Sequence, residues 1–180
     1  GYLFAALPGT KMHGGEFIQY ALRMGASAIL TDVEGAEIAA DELAASPVAV
    51  VIAADPRQTL AFAAALWFEK QPDCVVAVTG TNGKTSVASF VRRIWQLLGH
   101  PAVNLGTTGV EGDWEAPLAH TTPEPITLHR ALAGARDAGI GHAAMEASSH
   151  GLAQRRLDGV NLRAAGFTNF TQDHLDYHDS

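Results

Sequence analysis

The chain has 180 residues with 12 basic and 19 acidic side chains, a formal charge of -7 that argues against a nucleic-acid-binding face. Hydrophobic residues make up 47% and charged residues 17%, enough apolar surface for a packed core in one domain or two small ones, and too much for a disordered chain. A single cysteine, Cys74, excludes an internal disulfide, and no apolar run approaches the ~20 residues of a spanning helix, so a cytoplasmic protein without membrane insertion is expected.

The chain opens at Gly1-Tyr2-Leu3-Phe4 without a methionine and stops at His178-Asp179-Ser180, which suggests a fragment. Phe17, Ile18, Ala21 and Leu22 recur at helical spacing, Gly25 ends that helix, and a strand is expected over Ala28 to Leu30. Pro47 precedes the continuous apolar run Val48 to Ala53, which reads as a strand buried on both faces of a parallel sheet. Asp55-Pro56 then supplies a cap and a first-turn proline for a helix to about Phe68, with Leu60, Ala64 and Trp67 on one stripe. The polar segment Glu69 to Asp73 is the expected boundary, giving domains 1–72 and 73–180.

The second part restarts with a strand over Cys74 to Thr79, a glycine-rich turn, and a helix from Lys84 to Leu98 whose Val87, Val91, Ile94, Leu97 and Leu98 face one way. A short strand over Pro101 to Asn104 leads into a long Gly-, Thr- and Pro-rich loop, Leu105 to Pro125. A helix over Thr127 to Ala138, stopped by Gly139, and strands over His142 to Glu146 and Ala164 to Thr168 complete the pattern. The alternation predicts an α/β fold: a small amino-terminal α/β domain, then the front part of a P-loop domain with a mostly parallel sheet, ligands gathering at the carboxyl ends of its strands.

Gly80-Thr81-Asn82-Gly83-Lys84-Thr85-Ser86, between a strand and a helix, is the strongest local signal. Glycines let successive N–H groups turn toward phosphate oxygens, the helix amino end adds positive potential, Lys84 neutralises phosphate charge, and the Thr85 hydroxyl can hold Mg²⁺. Val78 departs from the small residue the full Walker pattern places there; the bland alternative is an ordinary glycine-rich connection. Glu146 ends the strand His142 to Glu146; alone such a glutamate is more often a solvated or helix-capping residue, and only the neighbouring loop reverses that in favour of a metal role. The dense run Asn169 to His178 invites a metal or nucleotide role, against the alternative of a polar loop with a structural histidine.

Taken together, Gly80 to Thr85, Met145-Glu146-Ala147-Ser148-Ser149-His150-Gly151-Leu152-Ala153-Gln154 and Asn169 to His178 resemble the Mur ligase superfamily. Gly1 to Ala6 with Phe17-Ile18 resembles its amino-terminal domain, and Gly106-Thr107-Thr108-Gly109 with His120-Thr121-Thr122-Pro123 its central domain. The resemblance is strongest to the branch that adds the third residue of the peptidoglycan stem peptide. It implies a cytoplasmic three-domain ligase that uses ATP and Mg²⁺ to join a diamino acid, meso-diaminopimelate or lysine, to UDP-N-acetylmuramoyl-L-alanyl-D-glutamate through an acyl phosphate. It also implies that a uridine-binding stretch precedes residue 1, that a carbamylated lysine and a third domain follow residue 180, and that this piece alone is inactive.

By that resemblance Lys84, Glu146 and His174 are the catalytic residues and Gly80, Thr81, Asn82, Gly83, Lys84, Thr85 and Ser86 bind the nucleotide. Thr85, Glu146 and His174 hold metal, His174 in its neutral form. Thr121, Thr122, Ser148, Gln154 and Arg156 contact the sugar-peptide, and Thr10, Lys11 and Met12 its uridine nucleotide, although His13 stands where the family often has aspartate. Two rival readings are a folylpolyglutamate synthase-like ligase and a nucleotide-binding module without catalysis.

Overall fold

The computed structural model describes residues 1–171; His174 and the rest of the run to His178 lie outside them. The chain divides into two units, Gly1–Leu60 and a second from Ala61 onward.

In the first unit, β1 (Tyr2–Ala5), β2 (Ala26–Thr31) and β3 (Ala49–Ile52) form a parallel sheet in the order β1-β2-β3. A 3₁₀ turn (Gly14–Phe17) leads into α1 (Ile18–Arg23), and α2 (Val33–Ile38) and α3 (Ala40–Ala44) follow β2. Ala6, Ile18, Ile29 and Ala39 form the core. His13, nearly buried, caps the 3₁₀ turn: its Nδ1 accepts from Gly15 N at 2.9 Å and its Nε2 lies 3.1 Å from Asp32 Oδ1. Asp32 in turn caps α2 by accepting from Gly35 N. Burial pushes the Asp32 carboxyl up, but the Gly35 amide, the His13 hydrogen bond and the His13 charge outweigh it and hold the group below its ordinary value.

The expectation that Val48 to Ala53 is buried on both faces fails. β3 is the edge of its sheet, and Val50, Val51 and Ile52 are 38%, 48% and 55% exposed. The following helix, α4 (Pro56–Phe68), starts as expected, with Asp55 Oδ1 accepting from Gln58 N at 3.0 Å. Its inward stripe is Leu60, Ala61 and Ala64 with Phe68 half-buried; Trp67, at the rim of that stripe, is 83% exposed and does not belong to the core.

The second unit contains β4 (Cys74–Thr79), α5 (Lys84–Leu97), β5 (Ala102–Gly106), β6 (Gly109–Gly112), α6 (Pro125–Asp137), β7 (His142–Glu146), α7 (Ser149–Ala153) and β8 (Leu162–Phe167). Its sheet runs β6-β5-β7-β4-β8, parallel except for the β5–β6 pair. Val75, Val103, Leu105, Leu128, Leu132 and Met145 pack its core. α6 is well specified locally: Glu124 accepts from both Ile126 N and Thr127 N, and Pro125 occupies the first turn.

Two expectations are corrected here. The segment after Leu105 is not one long loop, because Thr107-Thr108 turns the chain into the antiparallel strand β6, with Gly109 at φ 111 accommodating the reversal. The helix α5 packs a different face from the one expected: Ala88 is fully buried and Arg92 reaches Asn104 Oδ1 at 2.6 Å, whereas Val87, Ile94, Leu97 and Leu98 lie 36–88% exposed. Val91 alone of that stripe is half-buried. The methyl of Ala88 lets the helix approach β5 and β7 closely, and that approach decides which face turns inward.

Candidate functional site

The carboxyl ends of β5, β7, β4 and β8 are neighbours, so the four connections that leave them converge. β4 runs into Gly80–Gly83, where Gly80 (φ 125) and Gly83 (φ 89) both adopt backbone angles that favour glycine. Gly83 is the residue before α5, which has no side-chain cap, so its first-turn amides point outward from the helix end. Lys84 Nζ donates to Gly80 O (2.7 Å) and Thr81 O (3.0 Å), which holds the ammonium over the loop.

A brace from the end of β8 fixes the loop. Thr81 N donates to Asn169 O at 3.0 Å, Asn82 N donates to Asn169 Oδ1 at 3.1 Å, and Asn169 Nδ2 donates to Asn82 O at 3.0 Å. Thr168 Oγ1 donates to Asn82 O at 2.7 Å. The Thr81 and Asn82 amides are therefore engaged by protein, leaving the α5 end as the loop's anion-facing donor set. A Cβ on Gly80 would lie 2.1 Å from Thr168 Oγ1 and 2.8 Å from Asn169 O, so the brace and a side chain at position 80 exclude each other.

Glu146 is 2% exposed and stands beside Val78 across the β4–β7 register. Its Oε2 accepts from Thr85 Oγ1 at 2.8 Å, and its Oε1 accepts from Thr107 N at 3.1 Å. Among the described residues no basic side chain pairs with it. A buried carboxylate that has hydrogen-bond donors but no countercharge, next to a hydroxyl oxygen, is a donor set of hard oxygens that suits Mg²⁺. No group of three or more His, Cys, Asp or Glu gathers as a metal cage among the described residues, and Mg²⁺, which keeps several waters, needs none. A cleft of about 310 Å³ lined by Asn82, Lys84, Thr85, Thr107, Thr121 and Glu146, with others, opens here. A smaller one of about 220 Å³ lies between the loop, Ser148 to Leu152, Phe167 and Phe170.

Of the expected sugar-peptide contacts of the second unit, Thr121 and Ser148 line the larger cleft, while Thr122, Gln154 and Arg156 line neither. The Thr122 hydroxyl is consumed by the fold: it donates to Glu146 O and accepts from Ser148 N, each at 2.9 Å. Ser148 Oγ caps α7 by accepting from Gly151 N at 3.0 Å. Thr121 is half-buried, its hydroxyl 2.9 Å from that of Thr107. Arg156 donates through Nη1 to Thr122 O (2.6 Å) and through Nη2 to Gln154 Oε1 (2.7 Å), and makes no ion pair among the described residues, so its charge stays uncompensated. Arg155 instead turns away at φ 58 and lies 3.9 Å from Asp158.

Thr10, Lys11 and Met12 form an exposed bend of the first unit between β1 and the 3₁₀ turn. Three participants were not read from the sequence as site residues: Gly106, Thr107 and Asn169 in its bracing role. Each acts on a residue far along the chain, so only their motif strings, without roles, were legible.

A glycine-rich, lysine-bearing loop between a strand and a helix of a mostly parallel sheet, with a buried carboxylate at the neighbouring strand end, is the architecture of a P-loop domain. The model of the Mur ligase middle domain matches residues 78–180, and that of the Mur ligase family catalytic domain matches residues 1–67. The chain belongs to the Mur ligase family. It is 53% identical over 179 residues to the UDP-N-acetylmuramoyl-L-alanyl-D-glutamate–2,6-diaminopimelate ligase of Agrobacterium fabrum, and 51% identical over 187 residues to that of Caulobacter vibrioides. Those alignments take in 99% and 100% of this chain but 35% and 37% of the relatives, so the chain spans about a third of their length. A solved structure of a ligase of the same name superposes with a TM-score of 0.75 at 27% identity, over 98% of this chain and 35% of that one. A MurF ligase from Thermotoga maritima in complex with ADP, 19% identical with a TM-score of 0.57 over 100% of this chain and 37% of that one, shares the fold.

Proposed function

We propose that this chain is the ATP-binding part, with an amino-terminal unit for the uridine nucleotide, of a cytoplasmic ligase that joins 2,6-diaminopimelate to UDP-N-acetylmuramoyl-L-alanyl-D-glutamate. The observation that carries the reading is the hydrogen-bonded pair Thr85–Glu146 directly behind the lysine-bearing loop, in a chain whose relatives bear that name. The domain division at residues 1–72 and 73–180 belongs to the same proposal.

In this reading the γ-phosphoryl group of ATP passes to the D-glutamyl carboxylate, ADP leaves, and the diaminopimelate amine then displaces phosphate from the acyl phosphate. Both reacting groups are anions, so the chain's task is to lower their mutual repulsion. Lys84 supplies one positive charge, the amides of the α5 end supply partial ones, and Arg156, free of acidic partners among the described residues, offers a planar clamp for a carboxylate or phosphate. Thr85 and Glu146 would hold Mg²⁺, with His174, outside the described residues, assigned to a second ion. Bound there, the metal neutralises phosphate charge and fixes its oxygens.

Thr121, Ser148 and Gln154 are assigned to the sugar-peptide, along with the backbone at Thr122, and Thr10 to Met12 to its uridine end. Lys84→Ala should reduce ATP-dependent ligation at least ~100-fold, the scale of removing a preorganised charge-stabilising group. Retained turnover overturns the reading. In a binding titration the UDP-muramoyl dipeptide should bind and a folate should not; the reverse preference makes the protein a folate-directed ligase.

A further inference from the structure

Glu146 is gripped from two sides, its backbone by Thr122 and its carboxylate by Thr107. Thr122 Oγ1 donates to the Glu146 carbonyl and accepts from Ser148 N, which pins the residue's backbone at the end of β7. Thr121, the residue before it, places its hydroxyl 2.9 Å from Thr107 Oγ1, and the Thr107 amide donates to Glu146 Oε1. Thr107 is therefore a two-handed residue, its side chain on the half-buried Thr121 and its main chain on the buried carboxylate. The neighbouring Gly106 presses directly on that carboxylate: a Cβ there would fall 1.9 Å from Oε1 and 2.7 Å from Cδ. With so little room, a displacement of segment 106–107 must carry the Glu146 carboxylate with it.

We propose that Thr107 is a positioning residue that couples the two ligand sites, transmitting occupancy at Thr121 to the carboxylate oxygen of Glu146. The inference rests on the ligase reading above, which assigns the sugar-peptide to Thr121 and the Mg²⁺-nucleotide to Glu146. A ligand engaging Thr121 draws on the hydroxyl pair that sets Thr107, and so on the amide that orients Oε1. A carboxylate already aimed by metal holds Thr107, and through it Thr121, in the binding geometry. Each ligand then finds the other's partner already ordered, which is a reciprocal coupling free energy.

The test is calorimetric, on the purified full-length protein. The affinity for UDP-N-acetylmuramoyl-L-alanyl-D-glutamate is measured with and without Mg²⁺ and a β,γ-imido analogue of ATP. The wild type should bind the dipeptide at least ~5-fold tighter with the analogue present, the lower end of usual coupling strengths. Thr107→Ala, which keeps the amide and loses the hydroxyl, should bring that ratio to within ~2-fold of one; Thr107→Ser should restore it; and Thr107→Ala/Thr121→Ala should lose no more than either single variant. A merely structural role would weaken both binding events and leave their ratio unchanged. An unchanged ratio in Thr107→Ala, or a wild-type ratio of one, overturns the proposal. A wild type that binds neither ligand overturns the ligase reading, and the coupling falls with it.

Discussion

At the scale of single residues, glycines and hydroxyls set the site more than charges do. Gly80→Ala would drive a methyl to 2.1 Å from Thr168 Oγ1 at a φ of 125, so nucleotide binding should fall at least ~100-fold, measured by titration with ADP, as the α5 end is pushed out of line. Thr122→Val removes both ties to Glu146 O and Ser148 N in a buried place; loss of about 1–3 kcal/mol is expected by denaturant unfolding. His129 yields a pH prediction. Burial pushes its pKa below the ordinary value, partly opposed by its hydrogen bond to the Asp158 carbonyl at 3.1 Å. The unfolded chain then binds a proton before the folded one does. The contribution to stability is complete above about pH 6.5 and is lost as pH falls through the lower folded value. His142 shifts in the same direction, through burial first and His100 second, with Asp73 opposing. Midpoints of urea unfolding should therefore drop between pH 7 and 5, and His129→Gln should flatten that slope by no more than about 1.4 kcal/mol per pH unit. An unaltered slope would remove His129 from the account.

At the scale of elements, legibility followed local information. β4 and β7 were readable as bounded apolar runs and α6 as a helix stopped by Gly139, although its Glu124-Pro125 start falls in the segment expected to be loop. β6 was not, since Gly109-Val110-Glu111-Gly112 has neither length nor alternation and exists through its pairing with β5. β3 and α5 show a different limit. Their apolar residues were read correctly as strand and helix, but which face is covered depends on neighbours, and α5 turns Ala88 and Arg92 inward rather than the more apolar Val87 and Ile94. The choice is testable. Ala88→Leu forces three extra carbons between α5 and the sheet and should cost about 1–3 kcal/mol in denaturant unfolding, the usual penalty for overpacking. Were Ala88→Leu neutral, close approach would not be what orients the helix. In the site, Lys84, Thr85 and Glu146 were legible from residue type and position at element ends, whereas the brace from Asn169, 87 residues from Asn82, had no local trace.

At the scale of the whole molecule, the ligand should act as a structural member. The loop after β4, the brace after β8, the turn after β5 and the Glu146 end of β7 belong to four separate stretches of chain, which leave neighbouring strands of one sheet and are cross-linked by the hydrogen bonds described. A Mg²⁺-nucleotide seated on the α5 end, Thr85 and Glu146 would contact two of the four directly, and none of these contacts survives in the unfolded chain. Linkage then gives a stabilisation of about 2.7 kcal/mol at a hundred times the dissociation constant, or roughly 5–10 °C in midpoint for a protein of this size. Chelating Mg²⁺ with EDTA while nucleotide remains should remove part of that gain. Glu146→Gln keeps an acceptor for the Thr85 hydroxyl but removes the negative charge and one of the carboxylate oxygens offered to a cation, so ADP should still stabilise this variant while added Mg²⁺ adds little. Thermal scans with ADP, with and without Mg²⁺, distinguish the cases: an equal Mg²⁺ increment in wild type and Glu146→Gln would mean that the ion sits elsewhere.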